Sequence, residues 1–332
     1  MHRVFSGIQP SGELHVGNYL GAVRNWAALQ SDNDCIFSIV DLHAITQPYE
    51  ARELAGRTLE MAVGLLAAGI DPERATLFVQ SHVPQHTELA WALGSVTPLG
   101  ELERMTQFKD KSAREETIPA GLLNYPVLQA ADILLYRADR VPVGEDQLQH
   151  LELAREIARR WNARFGTELF PEPQPILSKA RRIVGLDGKT KMSKSLGNTI
   201  GLLDSPEVIW EKLRPAMTDP ARKTKKDPGT PEICNMYALH QHLSTPDQIE
   251  HVAVQCRTAG WGCVECKRLL ADNMIAALAP IRERAEELKA NPGRVREILE
   301  HGAVRCRKLA DETLAQVRDI MGFAPRNPGP VG

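Results

Sequence analysis

The sequence has no apolar run long enough to cross a membrane, and its first residues, MHRVFSG, lack the apolar core of a signal peptide. The rest of the composition is that of an ordinary globular protein, with 43% hydrophobic and 25% charged residues. We therefore expect a cytoplasmic protein that does not associate with a membrane.

The chain also lacks an excess of charge of one sign. It has 40 Lys and Arg residues against 42 Asp and Glu residues, which gives a formal net charge of −2. Because no global field attracts nucleic acid, any RNA contact has to use a local basic patch. The densest basic run holds Arg222, Lys223, Lys225 and Lys226; it is either a contact to RNA phosphates or a solvated loop.

Cysteine is scarce too, with six in 332 residues. Without a secretory context, this number does not indicate a disulfide framework. Cys35 lies in an apolar strand pattern and Cys306 in a helical one, as expected of inert thiols. The remaining four, which need their own explanation, are Cys234, Cys256, Cys263 and Cys266.

Strand and helix patterns alternate in the first half of the chain. Near-continuous apolar runs at residues 35–40 and 76–81 predict strands buried on both faces, and the periodic segment 53–69 predicts a helix between them. Such alternation indicates an α/β fold with a Rossmann-like parallel sheet, whose ligands bind beyond the carboxyl ends of the strands. Past residue 201 the patterns are helical, with capping signals at Ser205 and Thr245.

The stretch from Ser6 to Gly21, SGIQPSGELHVGNYLG, connects a strand pattern to a helical pattern. Its four glycines permit a tight turn and a close approach of the backbone to a ligand. A helix that begins there offers unpaired N–H groups and a positive dipole end to an anion, so we expect a phosphate at this point. The glycine spacing matches neither standard phosphate fingerprint, and a plain connection remains the alternative.

A second informative stretch is the lysine loop, which reads Lys191-Met192-Ser193-Lys194-Ser195. Alone it is typical of a solvated basic loop. Together, however, PSGELHVGN and KMSKS are the paired signature of the class I aminoacyl-tRNA synthetases. The further motifs FSGIQPSG, GNYLGA, VDLHAIT, GELERMTQFK, AADILLY and VPVGEDQ resemble the tryptophanyl-tRNA synthetase family, collinearly over nearly the whole chain.

The resemblance implies an ATP-dependent aminoacyl-tRNA ligase that forms tryptophanyl-adenylate and transfers tryptophan to tRNA(Trp). It also implies a homodimer. The domain organisation expected from it is a Rossmann-like catalytic domain at 1–200 with an insertion at about 98–140, and a helical anticodon-binding domain at 201–292. A C-terminal helix at 293–322 packs back, and 323–332 forms a flexible tail.

Amino-acid activation needs no general base, because the attacking carboxylate is already ionised. The protein has to align the reactants and to neutralise charge on the departing pyrophosphate. The resemblance assigns this task to Lys191, Lys194, Lys111 and His15, with Mg²⁺ bound mainly by the phosphates and water. The ATP-binding residues that it implies are Gln9, Pro10, Ser11, Gly17, Asn18, Gly144, Glu145, Asp146, Ile183, Lys191, Met192, Ser193, Lys194 and Ser195.

Asp132 is the expected specificity residue, because an indole N–H is only a donor and a carboxylate is its natural partner. From spacing alone, a pair with Arg137 or Arg140, or a carboxylate that faces water, is equally compatible. The resemblance favours the indole contact. The other tryptophan-binding residues that it implies are Phe5, His43, Tyr125, Gln147, Val141 and Val143.

The four clustered cysteines contain only one Cys-x-x-Cys pair, Cys263 and Cys266, whereas a zinc ribbon usually has two. This favours a four-thiolate [4Fe–4S] cluster over Zn²⁺, and four unconnected buried thiols remain a third possibility. The spacing resembles that of a subset of bacterial tryptophanyl-tRNA synthetases that hold such a cluster.

Three other functions remain open at this point. A smaller nucleotidyltransferase shares a glycine and His-x-Gly-like loop, but would lack the helical half and KMSKS. A tyrosyl-tRNA synthetase would have a closely similar sequence, with a pocket suited to a phenol that both donates and accepts. A paralogue that binds RNA without catalysis would be expected to lose Lys191, Lys194, Asn18 or Asp132, and all four are present.

Overall fold

The computed structural model describes residues 1–112, 117–177 and 183–324, apart from the side chains of Lys111 and Ser195. Within these ranges the chain forms a five-stranded sheet of order β3-β2-β1-β4-β5, and all its strand pairs are parallel. The strands are β1 (Arg3–Ile8), β2 (Asp34–Ile39), β3 (Ala75–Val79), β4 (Arg140–Val143) and β5 (Gln174–Leu177).

Helices connect the strands, and from residue 206 onward all the regular elements of the described chain are helical. They are α1 (Val16–Asn18), α2 (Arg24–Leu29), α3 (Asp41–Ala44), α4 (Ala51–Ala67), α5 (Gln85–Gly94), α6 (Leu99–Glu103), α7 (Thr106–Ser112), α8 (Ala120–Leu134), α9 (Leu148–Phe165), α10 (Pro206–Leu213), α11 (Asn235–Leu243), α12 (Pro246–Arg257), α13 (Cys263–Ala290) and α14 (Pro292–Met321). A π-helical stretch, Tyr19–Val23, separates α1 from α2.

The sheet is covered on both faces, as the apolar runs predicted. Along β2, Cys35, Phe37 and Ile39 join one core cluster with α4 and α13, whereas Ile36 joins the other with α8 and α9. Because side chains alternate between the two faces of a strand, a strand with both faces buried has to be apolar at nearly every position.

Most elements expected from the sequence are present, including the helix after Ser205 and the capping box at Thr245. Several elements were missed, among them β5 and the π-helical stretch. The edge strand β5 is short and contains a proline, so its pattern was too weak to be recognised. The π-helical stretch follows a helix start that His15 and Asn18 cap reciprocally, and apolar periodicity carries no signal for either.

The last helix, α14, lies against β3, which is an edge strand of the sheet. Arg305 on this helix donates to Thr76 Oγ1 and to Asp34 Oδ1, both at 2.7 Å. Gly302 allows the close approach, because a Cβ at this position would overlap the carbonyl oxygen of Leu77. A helix that covers an edge strand protects the strand from pairing with another chain.

No helix in the described part of the chain is long and apolar enough to span a membrane. Of the expected tail, Phe323 and Ala324 follow α14, and 325–332 lie outside the described residues.

We predict that Gly302→Ala lowers the free energy of unfolding by about 2 kcal/mol, because the added methyl meets backbone rather than a side chain that can rotate away. Gly56→Ala is the control: it lies inside α4 with no atom near the new methyl, so it should stabilise the protein by roughly 1 kcal/mol. Urea unfolding measures both, and an unaffected Gly302→Ala would contradict the packing of α14 on β3.

Candidate active site

The candidate site lies at the carboxyl ends of β1 and β4, the neighbouring strands at which the strand order reverses direction. Crevices at such a switch point bind ligands in open α/β sheets. Gln9, Pro10 and Ser11 follow β1 directly, and Gly144 follows β4. The sheet therefore brings two of the predicted ATP-binding segments to one edge.

The glycine stretch and the lysine loop meet at this edge, although more than half of the chain separates them. Val16 N donates to Ile200 O at 2.9 Å, and Leu202 N donates to Leu14 O at 2.7 Å. These two backbone hydrogen bonds fix the segment after the lysine loop beside the start of α1.

The contact between the two segments is closest at Gly12. Its backbone is in the left-handed region, with φ of +117°, and a Cβ there would lie 2.7 Å from Lys194 Nζ. A Cβ on Gly17 would lie 3.1 Å from the Cβ of Met192. Position 12 favours glycine because of its backbone conformation, and Gly17 is in tight contact with the lysine loop.

His15 caps the helix that starts at Val16. Its Nδ1 accepts from the backbone N–H of Asn18 at 3.2 Å, and the Asn18 side chain accepts from the His15 N–H at 3.3 Å. Burial, followed by Lys194 and Lys191, lowers the pKa of His15 to about 4. The imidazole is therefore neutral near pH 7, and because Nδ1 accepts, Nε2 carries the hydrogen and is a donor.

The same contacts correct one expectation about the helix start. The N–H groups of Val16, Asn18 and Tyr19 are not unpaired, since they donate to Ile200 or to His15. An anion here therefore has to be bound by side-chain donors as well as by the backbone.

The lysine loop has its own scaffold, which the sequence reasoning missed. Buried Asn198 accepts from Ser193 N at 2.7 Å and donates to Lys191 O at 3.3 Å and to Asp187 Oδ2 at 3.0 Å. Thr190 also donates to the Asp187 carboxylate. An Asn three residues beyond the motif is the only sequence signal that pointed to this role.

Two predicted ATP-site residues interact directly. Lys191 Nζ lies 3.7 Å from Asp146 Oδ2, and both side chains are more than half exposed. Asp146 folds back over Gly144, where a Cβ would lie 2.7 Å from its Oδ1. The carbonyl of Ile183 accepts from Met192 N at 3.1 Å, so it is already engaged.

Asp132 is 1% exposed and lies in a network of hydrogen-bond donors. Its Oδ1 accepts from Gln80 Nε2 at 2.7 Å and from His86 Nδ1 at 2.6 Å, and its Oδ2 accepts from His43 Nε2 at 2.8 Å. Burial alone raises its pKa, but His86 and His43 outweigh burial and lower the pKa to about 2. The carboxylate is therefore charged and has no hydrogen of its own to donate.

This network overturns the alternative in which Asp132 pairs with Arg137 or Arg140 or faces water. The donors come from three places in the sequence: helix α3 for His43, the residue after β3 for Gln80 and helix α5 for His86. His86 Nε2 lies 2.7 Å from the hydroxyl of Tyr136. Gln80 and His86 were missed because each looks, in sequence, like an isolated polar residue.

The other predicted tryptophan-binding residues are partly apolar and partly polar. Phe5 and Val141 are buried and Val143 is partly buried, all in the core cluster that contains Tyr136. Tyr125 is hydrogen-bonded to His150 at 2.8 Å, and its ring lies 6.2 Å from that of His43. Gln147 Nε2 lies 3.5 Å from Asp146 Oδ2.

The four clustered cysteines, Cys234, Cys256, Cys263 and Cys266, line one small cavity together with Arg222 and Trp261. Arg222 Nη1 lies 4.0 Å from Cys256 Sγ and 3.9 Å from Cys263 Sγ. Burial, followed by the neighbouring cysteines, raises the pKa of Cys266 to about 12. Within the described ranges, no group of three or more His, Cys, Asp or Glu side chains is arranged to hold a metal ion.

Known proteins resemble this chain over almost its whole length. The family model described as tRNA synthetases class I (W and Y) matches residues 1–279. A protein from Deinococcus radiodurans named Tryptophan--tRNA ligase is 53% identical over 97% of this chain and 99% of its own length. The chain belongs to this family.

Two further relatives support the assignment. The Tryptophan--tRNA ligase of Parasynechococcus marenigrum is 49% identical over 97% of this chain and 98% of its own length. The crystal structure of the Campylobacter jejuni tryptophanyl-tRNA synthetase with ADP and tryptophan is 35% identical, covers 97% of this chain and 100% of its own, and superposes with a TM-score of 0.87. The predicted class I synthetase fold is confirmed.

Some predicted residues of this synthetase cannot be compared with the structure. The side chains of Lys111 and Ser195 lie outside the described residues, although Lys111 belongs to α7. In the basic run, Arg222 faces the cysteine cavity and Lys225 pairs with Glu265 at 2.7 Å. Only Lys223 and Lys226 are exposed there without a described ion pair.

Proposed function

We propose that this chain is the tryptophan–tRNA ligase of its cell, which activates L-tryptophan with ATP and transfers it to tRNA(Trp). The observation that carries the proposal is the meeting of the two signature segments, with Lys194 Nζ against Gly12 at the switch point of the sheet. The names of the relatives at 53% and 49% identity agree with it.

In the proposed first step, the tryptophan carboxylate attacks the α-phosphate of ATP, and pyrophosphate leaves. Lys191, Lys194 and Lys111 neutralise the charge that develops on the leaving group, and His15 donates from Nε2. The segments 9–18 and 144–146, with Ile183 and the lysine loop, hold the nucleotide. Mg²⁺ is carried by the triphosphate rather than by a protein cage.

Tryptophan is proposed to bind with its indole N–H on Asp132. A carboxylate has about four acceptor sites, and the three described donors leave one, on the side of Oδ2. Because the carboxylate is charged and every neighbour donates to it, the remaining site accepts a donor and repels an acceptor. Phe5, Val141 and Val143 provide apolar walls, with His43, Tyr125 and Gln147 around the amino-acid end.

We predict that Asp132→Asn reduces kcat/KM for tryptophan roughly 100-fold, because a charged acceptor is lost and the new amide faces three donors. The KM for ATP should change little. ATP–pyrophosphate exchange measures both constants. A tryptophan analogue with sulfur in place of the indole N–H should lose this dependence, since it has no hydrogen to donate.

Asp139→Asn is the matched control. Asp139 is also a carboxylate acceptor, bonded to Arg3 N at 2.9 Å. It precedes β4, however, and so lies at the amino-terminal ends of the strands, away from the site. Exchange that depends on tyrosine rather than tryptophan would favour the tyrosyl alternative. If the Asp132→Asn protein prefers tryptophan over the sulfur analogue as strongly as the natural protein does, the role of Asp132 is contradicted.

For the cysteine cavity we propose a [4Fe–4S] cluster as occupant. A zinc ribbon usually has two Cys-x-x-Cys pairs, whereas Cys263 and Cys266 are the one such pair among these four cysteines. A cluster is larger and anionic, and the Arg222 guanidinium beside Cys256 and Cys263 suits a negative group. The cluster would cross-link the start of α11, at Cys234, to α12 and α13.

Anaerobically purified or reconstituted protein should contain iron and sulfide and show the visible absorbance of an iron–sulfur centre, which Cys263→Ser should lose. We predict that this variant loses tRNA charging much more than adenylate formation, because the cavity lies in the helical region. Zinc without iron in elemental analysis would overturn the cluster, and equal loss of both activities would indicate general destabilisation.

The helical region 201–292 is proposed to bind the anticodon arm of the tRNA. Exposed Lys223 and Lys226 are its candidate phosphate contacts, beside the cysteine cavity.

We propose the cytoplasm as the compartment, which suits free thiols and tRNA charging.

We also propose a homodimer, supported by an exposed apolar surface between α5 and α14. Trp91 is 85% exposed and Phe323 is 48% exposed on a groove that Leu314 and Val317 also line. An exposed patch of this kind marks an interaction surface. Sedimentation should give a dimer, and Trp91→Glu should give a monomer; a dimeric variant would place the interface elsewhere.

A further inference from the structure

The hairpin that leads into the lysine loop is held by residues of the helical region. Residues 183–192 form this hairpin: Val184 pairs with Lys191, and Gly185 N donates to Thr190 O at 2.8 Å. The last residue of the hairpin also approaches the glycine stretch, since a Cβ on Gly17 would lie 3.1 Å from the Cβ of Met192.

The most direct support from the helices is Asn235, the first residue of α11. Its Nδ2 donates to the carbonyl of Gly185 at 2.7 Å, and the residue is 8% exposed. The orientation of the amide is fixed, because a carbonyl oxygen only accepts and the nitrogen must face it. A buried hydrogen bond of this kind leaves the carbonyl unsatisfied if the donor is removed.

Gly185 transmits this support to the lysines. A Cβ at Gly185 would overlap the side chain of Asn198, so the two are in close contact. Asn198 in turn accepts from Ser193 N and donates to Lys191 O. A path of two side chains and one glycine therefore connects α11 to both ends of the Lys191–Ser193 segment.

A second contact supports the same hairpin independently. Met217 N donates to Leu186 O at 2.8 Å, and the segment before Met217 is fixed by Lys267. Lys267 is 6% exposed, and its Nζ donates to Arg214 O at 2.8 Å and to Ala216 O at 2.6 Å.

From these contacts we infer that Asn235 is a positioning residue for ATP: by holding Gly185 it keeps Lys191 and Lys194 where the triphosphate binds. Asn235 is remote from tryptophan and from the reacting atoms, so it acts only through the hairpin. The inference rests on the proposed ATP site.

The test compares Asn235→Asp with Asn273→Asp. Both substitutions keep the shape of the side chain and remove its N–H donor. Asn273 lies in the same helical region, where its Nδ2 donates to Ser244 Oγ at 2.8 Å and to Gln248 Oε1 at 2.9 Å. It makes no described contact with the hairpin.

In ATP–pyrophosphate exchange, Asn235→Asp should raise the KM for ATP about tenfold, the size that loss of one buried hydrogen bond gives. The KM for tryptophan should stay that of the natural protein, and Asn273→Asp should change neither constant. An unchanged KM for ATP in Asn235→Asp, or an equal rise in the control, would overturn the inference.

Limited trypsin digestion provides a readout that does not depend on activity. Cleavage after Lys191 and Lys194 should be faster in Asn235→Asp than in Asn273→Asp, because the hairpin has lost its anchor. Equal cleavage rates would overturn the inference. Absence of tryptophan-dependent exchange in the natural protein would instead overturn the proposed function, and the digestion would still decide the role of Asn235.

Discussion

The approach of Lys194 to Gly12 is the contact on which the rest of the site depends. It requires a turn with a left-handed residue after β1, and it requires a lysine from a segment more than half the chain away. Two backbone hydrogen bonds, from Val16 to Ile200 and from Leu202 to Leu14, hold these segments together. Without that junction, the lysines would lie in a solvated loop, and no cationic side chain of the loop would face the carboxyl ends of the strands.

Charge is arranged differently in the two halves of the site. Near the proposed phosphates, His15 is kept neutral by burial and by the two lysines, so it donates without adding a cation. Near the proposed indole, Asp132 is kept anionic in a buried position by His43 and His86. Each arrangement favours one chemical partner: several negative oxygens at one end and a single N–H donor at the other.

Much of the architecture follows from the sequence, because its causes are local. Apolar runs such as 35–40 determine strands buried on both faces, and the cap at Ser205 starts a helix. What could not be predicted depends on long-range geometry. Gln80 and His86 act only because β3 and α5 bring them to Asp132, and Asn235 acts only because α11 meets the hairpin.

The predicted site residues show the same division. Motif matching found both lysines of the loop, and the structure places them beside the glycine stretch. It did not find that Arg222, in the basic run, faces the cysteine cavity instead of solvent, since composition does not reveal where a side chain points. The spacing of residues in the sequence suggests candidate site residues, and the packing of the folded chain decides which of these side chains can contact a ligand.

The most direct measurement of the central claim is a crystal structure of this protein with tryptophan and a non-hydrolysable ATP analogue. The account predicts the triphosphate between Gly12 and Lys194, with the indole N–H on Asp132. A nucleotide bound away from the switch point, or a lysine loop on the far side of the molecule, would contradict it.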